Sequence, residues 1–397
     1  MRSIVTPRLA LLAFAHFTID AYSSFFSPLL PLLVTKLHLS LTLVGTLVAL
    51  ASVSSSFSQL LFGWLADRMR RPWFIALGPV VAAIFMSGIG LAPSFGALAL
   101  LLMLGGIGVA AFHPQGASLA IDLAPSRARA MAIFVTGGTF GFSLGPLFAV
   151  LLVGAFGLER TWLAAFPGML VGAFLMLWFT RVAPRHRPAS ARPRIADLRP
   201  VLKPLTLLYF VVVCRSAVSY GFMTFLPLYL NRQGWSVKAS GYMLTAHLVF
   251  GALGGFLGGW LSDRWGGRRV VVRSFMAAAP LYLAFLAFPD WRGLVCLVLG
   301  GFFLQTSLPV NVVMGQELSP AHSSTIASLL MGAAWGVGAL LIGPVGMLAD
   351  ARGLHTALLT LAALLGVGLA LAFALPDVRR YALPVDLAEP AVGSAGK

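Results

Sequence analysis

Long apolar runs separated by short polar turns follow one another along nearly the whole chain. The runs are continuous rather than alternating. That pattern reads as membrane-spanning helices of about twenty or more residues, not as the two-residue alternation of a membrane barrel. Twelve runs are legible, roughly at 9–34, 43–66, 73–92, 95–119, 129–155, 161–182, 204–230, 238–262, 270–288, 293–317, 324–349 and 355–375. An even number of spans puts both termini on one side. The predicted class is an all-α membrane protein.

The runs repeat as a set. Gly63-Trp64-Leu65-Ala66-Asp67-Arg68 recurs as Gly259-Trp260-Leu261-Ser262-Asp263-Arg264, 196 positions later. Pro31 answers Pro227 at the same offset, Asp122 and Pro125 answer Glu317 and Pro320 at 195, and Gly145-Pro146 answers Gly343-Pro344 at 198. A repeat of half the chain predicts two six-helix bundles related by an axis along the membrane normal. The expected divisions are 1–182, a linker at 183–203, 204–376, and a tail at 377–397.

Composition adds exclusions. The chain is 59% hydrophobic and 10% charged, against about 25% charged in soluble domains. The N-terminus, the even-numbered loops and the C-terminus hold 21 of the 28 Lys and Arg residues. The positive-inside rule makes that side cytoplasmic, in an inner membrane. The net charge of +16 is then topology and lipid contact, with no nucleic-acid partner implied. The N-terminal run is too long for a signal peptide and carries His16 and Asp20, so it reads as the first span. Cys214 and Cys296 suggest neither a disulfide framework nor a metal site. Gly141-Phe142-Ser143-Leu144-Gly145 mimics a hydrolase elbow but sits inside an apolar helix, where packing explains it. Neither a phosphate loop nor a His-Glu-x-x-His metal helix is present, so no cofactor, metal or enzymatic activity is expected.

The chain resembles the major facilitator superfamily of secondary transporters over essentially its whole length. The carrier of the resemblance is the turn after the second span, where Gly63, Asp67, Arg68 and Arg71 match the family phrase and Arg70 stands in place of glycine. The second copy keeps Gly259, Asp263, Arg264 and Gly266. A narrower resemblance is to the fosmidomycin resistance group of efflux transporters. It rests on His16, Asp20 and Pro28-Leu29-Leu30-Pro31, on Phe112-His113-Pro114-Gln115, and on Gly137-Gly138-Thr139-Phe140-Gly141 running to Leu144-Gly145-Pro146. What these imply is alternating access, with proton-coupled export of a small drug-like or organic-anion compound. Uptake or exchange of an organic anion by the same fold is the alternative. A membrane-embedded receptor or enzyme is the alternative of another class. A monomer is expected.

In the family fold, spans one, four, seven and ten line the central cavity. His16 and Asp20, four apart, share a helix face near mid-membrane. Arg215, 195 positions after Asp20, is expected to approach it from the other half. Two readings stand: a proton-titrating carboxylate with an anion-attracting guanidinium, or a permanent ion pair. His113 is a second proton candidate or a packing residue, beside the helix-kinking Pro114. Tyr22, Gln115, Gln305 and Asn311 complete the candidate substrate contacts, and His247 reads as packing. Asp67 is expected to dock at the start of span eleven, near Ser323, as a gate. Arg68, Arg71, Asp122, Asp263, Arg264 and Glu317 join it, with Asp122 and Glu317 pairing with nearby arginines or simply solvated. Gly141, Gly145 and Pro146 match the family's span-five packing motif.

Overall fold

The computed structural model describes residues 6–66, 68–69, 71–123, 127–179 and 195–376. Twelve helical segments are long and apolar enough to cross a membrane. They are α1 Pro7–Leu37, α2 Leu41–Ala66, α3 Trp73–Leu91, α4 Phe95–Ala120, α5 Arg129–Phe156 and α6 Leu158–Phe179, then α7 Leu198–Arg232, α8 Val237–Trp265, α9 Gly267–Ala287, α10 Trp291–Leu318, α11 Thr325–Arg352 and α12 Leu354–Ala374. No strand occurs among the described residues. The expected tail and most of the expected linker lie outside them.

Local chemistry sets the helix ends. Thr6 accepts from the Leu9 amide with Pro7 at the first helical position, and Ser94 and Ser236 cap α4 and α8 in the same way. Gly266 ends α8 with φ 85°, a left-handed conformation that costs glycine little. This is the turn glycine of the second motif copy. Pro31 in α1, Pro114 in α4 and Pro309 in α10 interrupt backbone ladders. α1 bends at Ser24, and α11 contains a π-helical turn at Leu329–Ala333.

The two sets of six helices pair alike. α1 packs on α5, α2 on α4, and α3 on both α4 and α6. In the second set α7 packs on α11, α8 on α10, and α9 on both α10 and α12. Glycine makes these approaches close. A methyl at Gly137, Gly141 or Gly145 of α5 would strike the backbone carbonyls of Ala13, Phe17 or Ala21 of α1. Gly254 and Gly258 of α8 meet Phe302 and Thr306 of α10 in the same manner. In lipid, where burying apolar surface gives little drive, such close contact holds helices together. Gly141→Ala is therefore expected to destabilise the fold by about 1–3 kcal/mol through overpacking, read as a lowered melting temperature in detergent. An unchanged melt would remove α1–α5 contact as a determinant of stability. Large apolar side chains such as Leu60, Leu100, Leu170 and Leu177 point outward, as a lipid-facing perimeter requires.

Candidate functional site

The halves meet through α2 with α11, α5 with α8, and the second part of α1 with α7 and α8. On α2 and α11 the contacts begin at the face away from the termini. Gly45 meets Ile342 and Gly343, Gly346 meets Leu41 and Thr42, and Phe57 lies near Gly336. On α5 and α8 they run from Val150 with Gly241, through the Ser143 hydroxyl donating to the Leu248 carbonyl at 3.3 Å, to Phe140 with Phe256. Nearer the termini, among the described residues, a methyl at Gly63 would reach only Pro114 of its own half and one at Gly259 would reach no atom within 4 Å. Among the described residues, the halves thus close on each other at the face opposite the termini and part toward the face that carries them.

A latch marks the closed face. The α2 start exposes amides that lack intrahelical partners. Ser40 Oγ accepts from Leu43 N at 3.2 Å. Asp350, at the end of α11, accepts from Leu41 N and Thr42 N at 2.8 Å each and from the Thr42 hydroxyl at 2.6 Å. The carboxylate also lies at the positive end of the α2 dipole. Sequence reasoning missed Asp350. Its signal was an acid ending span eleven, the mirror of Asp67 ending span two. Asp350→Ala removes this cap, a loss of about 0.5–2 kcal/mol. The expected result is a shift of about 2- to 30-fold toward opening at this face. A reporter cysteine in the α2–α11 seam, labelled by a membrane-impermeant thiol reagent, reads it. Unchanged labelling with normal transport would count against the latch.

Midway through the first half, three titratable side chains converge. His16 Nε2 lies 3.3 Å from Asp20 Oδ2, His113 Nε2 lies 3.2 Å from Asp20 Oδ1, and the two Nε2 atoms are 3.2 Å apart. Each histidine's other nitrogen faces a carbonyl at 2.8 Å, Phe134 for His16 and Val109 for His113. A carbonyl only accepts, so both Nδ1 atoms carry protons and both Nε2 atoms turn toward Asp20. Two ring lone pairs and a carboxylate facing one another repel unless a cation is shared among them. Phe112 and Phe134 flank the His16 ring. The Asp20 and His113 side chains keep 17% and 25% exposure, leaving one side of the group open.

Arg215 does not join Asp20. It is 1% exposed, donates from Nη1 to Gln305 Oε1 at 3.0 Å and from Nη2 to Ser216 Oγ at 3.3 Å, and stands 5.0 Å from the Trp335 ring centroid. No carboxylate pairs with it among the described residues, and its Nε has no hydrogen-bond partner there. Among the described residues, each buried charged group is thus contacted by groups of its own half. Trp335 and Ser216 were not found by sequence reasoning. The π-helical turn just before Trp335 is a tertiary detail without a sequence pattern. Asn311 is 1% exposed with both amide atoms unpartnered among the described residues.

Two expected substrate contacts are engaged elsewhere in this conformation. Gln115 Oε1 accepts from Ile75 N at 3.0 Å, because Pro72 leaves the start of α3 without a side-chain cap. The Tyr22 hydroxyl donates to the Ala164 carbonyl and accepts from Gly168 N at 3.0 Å, bridging the point inside α6 where a 3-10 stretch, Leu158–Ala164, gives way to α-helix. His247 bonds the Leu297 carbonyl at 3.1 Å and packs on Tyr282.

The duplicated motif repeats its geometry. Arg68 lies 3.8 Å over the Trp64 ring and Arg264 lies 3.9 Å over Trp260, each one helical turn on. Arg71, Asp263 and Glu317 are exposed and Asp122 is half-buried. Glu317 forms no ion pair among the described residues; at a solvated helix end such a pair contributes little. Asp67 lies outside the described residues.

The family model described as the Major Facilitator Superfamily matches residues 12–341 and, again, 208–391. The fosmidomycin resistance protein of Escherichia coli (strain K12) is 28% identical over 353 residues, covering 86% of both chains. An uncharacterized MFS-type transporter, YfnC of Bacillus subtilis (strain 168), is 29% identical over 383 residues, covering 94% of this chain and 93% of that one. Among solved structures, a bacterial homolog of the human lysosomal transporter Spinster, inward-facing and occupied, superposes with a TM-score of 0.79 at 21% identity. It covers 94% of this chain and 96% of its own.

Proposed function

The chain belongs to the Major Facilitator Superfamily, a multi-pass membrane transporter rather than an enzyme, and from that premise we propose proton-coupled export of a small organic anion or drug-like compound. One observation carries the coupling: Asp20 faces two histidine Nε2 atoms whose partner nitrogens are committed to carbonyls. A proton held there converts a repulsive cluster into charge-assisted hydrogen bonds. Its loss restores the repulsion, so the group has two states of different energy, as a coupling site needs.

Arg215 supports an anionic cargo. A buried guanidinium without a carboxylate partner keeps its charge available to a substrate, and the Trp335 face beside it suits an apolar or conjugated body. With the termini in the cytoplasm, as the basic loops argue, the parted face is inward. Substrate then enters from the cytoplasm, and the Asp350 latch opens on the way out. The test is flux of a substrate panel into and out of proteoliposomes under an imposed pH gradient. Transport that ignores the gradient would overturn the coupling.

A further inference from the structure

We propose that His16, His113 and Asp20 form a binding site for one divalent transition-metal ion of the zinc class. The site shares residues with the coupling reading but concerns a different ligand and is tested by a different readout. It rests on four observations. The three contacts measure 3.2, 3.2 and 3.3 Å. Charge-assisted N–H···O hydrogen bonds are shorter, about 2.7–2.9 Å. Ligand atoms about 2.0–2.1 Å from a tetrahedral zinc ion stand about 3.3–3.4 Å from one another. The triangle therefore has nearly the edge length of a coordination tetrahedron.

The second observation is what lies behind the ligands. Metal-bound histidines almost always donate their other ring nitrogen to a carbonyl or carboxylate, which fixes tautomer and ring angle. Both histidines do so here, to Phe134 and Val109 at 2.8 Å, and their rings stand at 83° to one another so that both Nε2 atoms converge. The third is access. Asp20 and His113 are partly exposed, leaving a fourth position for water or a substrate atom. A methyl at Gly138 would strike His16 Nε2 and crowd Asp20 Oδ2, so α5 packs closely on that flank and the opening lies on the exposed side of Asp20 and His113. The fourth is donor type: two imidazoles and one carboxylate suit zinc, cobalt or iron(II) and not the all-oxygen preference of magnesium or calcium. All three ligands come from α1 and α4 of one half, so the site keeps its shape while the halves move. A bound ion replaces the shared proton, which is released as it binds.

Cobalt(II) is the probe, titrated into the full-length protein, purified without a histidine tag, in detergent. The expected result is the intense visible absorption of a four-coordinate centre, saturating at one ion per chain. Zn2+ should displace it and Mg2+ should not. His113→Ala should weaken binding about tenfold or more, whereas exposed His355→Ala should leave it unchanged. Only the weak spectrum of hydrated Co2+, equal binding by His113→Ala, or displacement by Mg2+ would overturn the site. If His113→Ala is not monodisperse, Asp20→Asn replaces it, and unchanged cobalt affinity in that variant overturns the proposal. The two readings fail separately. Cobalt binding with gradient-driven flux intact in Asp20→Asn sinks the coupling role alone. Flux lost in Asp20→Asn without wild-type cobalt binding sinks the metal site alone.

Discussion

Asp20→Asn is expected to abolish pH-driven accumulation, reducing it to the level of liposomes without protein, while substrate binding and exchange persist. The amide keeps the shape and one acceptor oxygen but cannot carry the negative charge that His16 and His113 face at 3.3 and 3.2 Å. Without that charge, adding or removing a proton at the Nε2 pair no longer switches the group between attraction and repulsion. Binding at Arg215 lies in the other half and does not share these contacts. The measurement is paired: calorimetric binding and gradient-driven flux for each variant. Full accumulation by Asp20→Asn would make the carboxylate structural and move the coupling site, with His113 the next residue to test.

Arg215→Ala is expected to weaken binding of an anionic substrate about 10- to 150-fold, the loss of one charge-assisted contact of about 1.5–3 kcal/mol. The truncation also leaves Gln305 Oε1 and Ser216 Oγ without the donor they face, so some stability is lost with it. Arg215→Lys separates the two effects. It keeps the charge but not the planar fork, so binding should recover in part and remain below wild type. A neutral analogue of the same shape should bind all three proteins alike. If Arg215→Ala binds the anion as tightly as wild type, the guanidinium is a structural group held by Gln305, Ser216 and Trp335.

The internal repeat, the twelve spans and the family were legible because each depends on local pattern. Apolar length decides spanning, and the motif around Gly63 and Gly259 survives as contiguous residues. His16 and Asp20 were also legible together, since a spacing of four fixes a shared face. The convergence of His113 on them was not. It comes from α4, 97 positions away, and sequence alone gives no distance between helices. For the same reason no metal site was expected, as its ligands form no contiguous motif.

The expected Asp20–Arg215 approach illustrates the limit. Offset in the repeat assigns the two residues to corresponding positions of spans one and seven, but correspondence alone does not bring side chains into contact. Each charge found partners in its own half. Position in the span makes Gln115 and Tyr22 expected substrate contacts, whereas backbone groups at the start of α3 and at the 3-10 junction inside α6 claim them. The Asp350 latch was decided by how α11 crosses α2. Sequence by itself determined how many helices cross the bilayer and which residues bear charge within it, because lipid punishes any unsatisfied backbone locally. Only the tertiary structure decided which charges meet and which face is closed, because those depend on packing between helices distant in the chain.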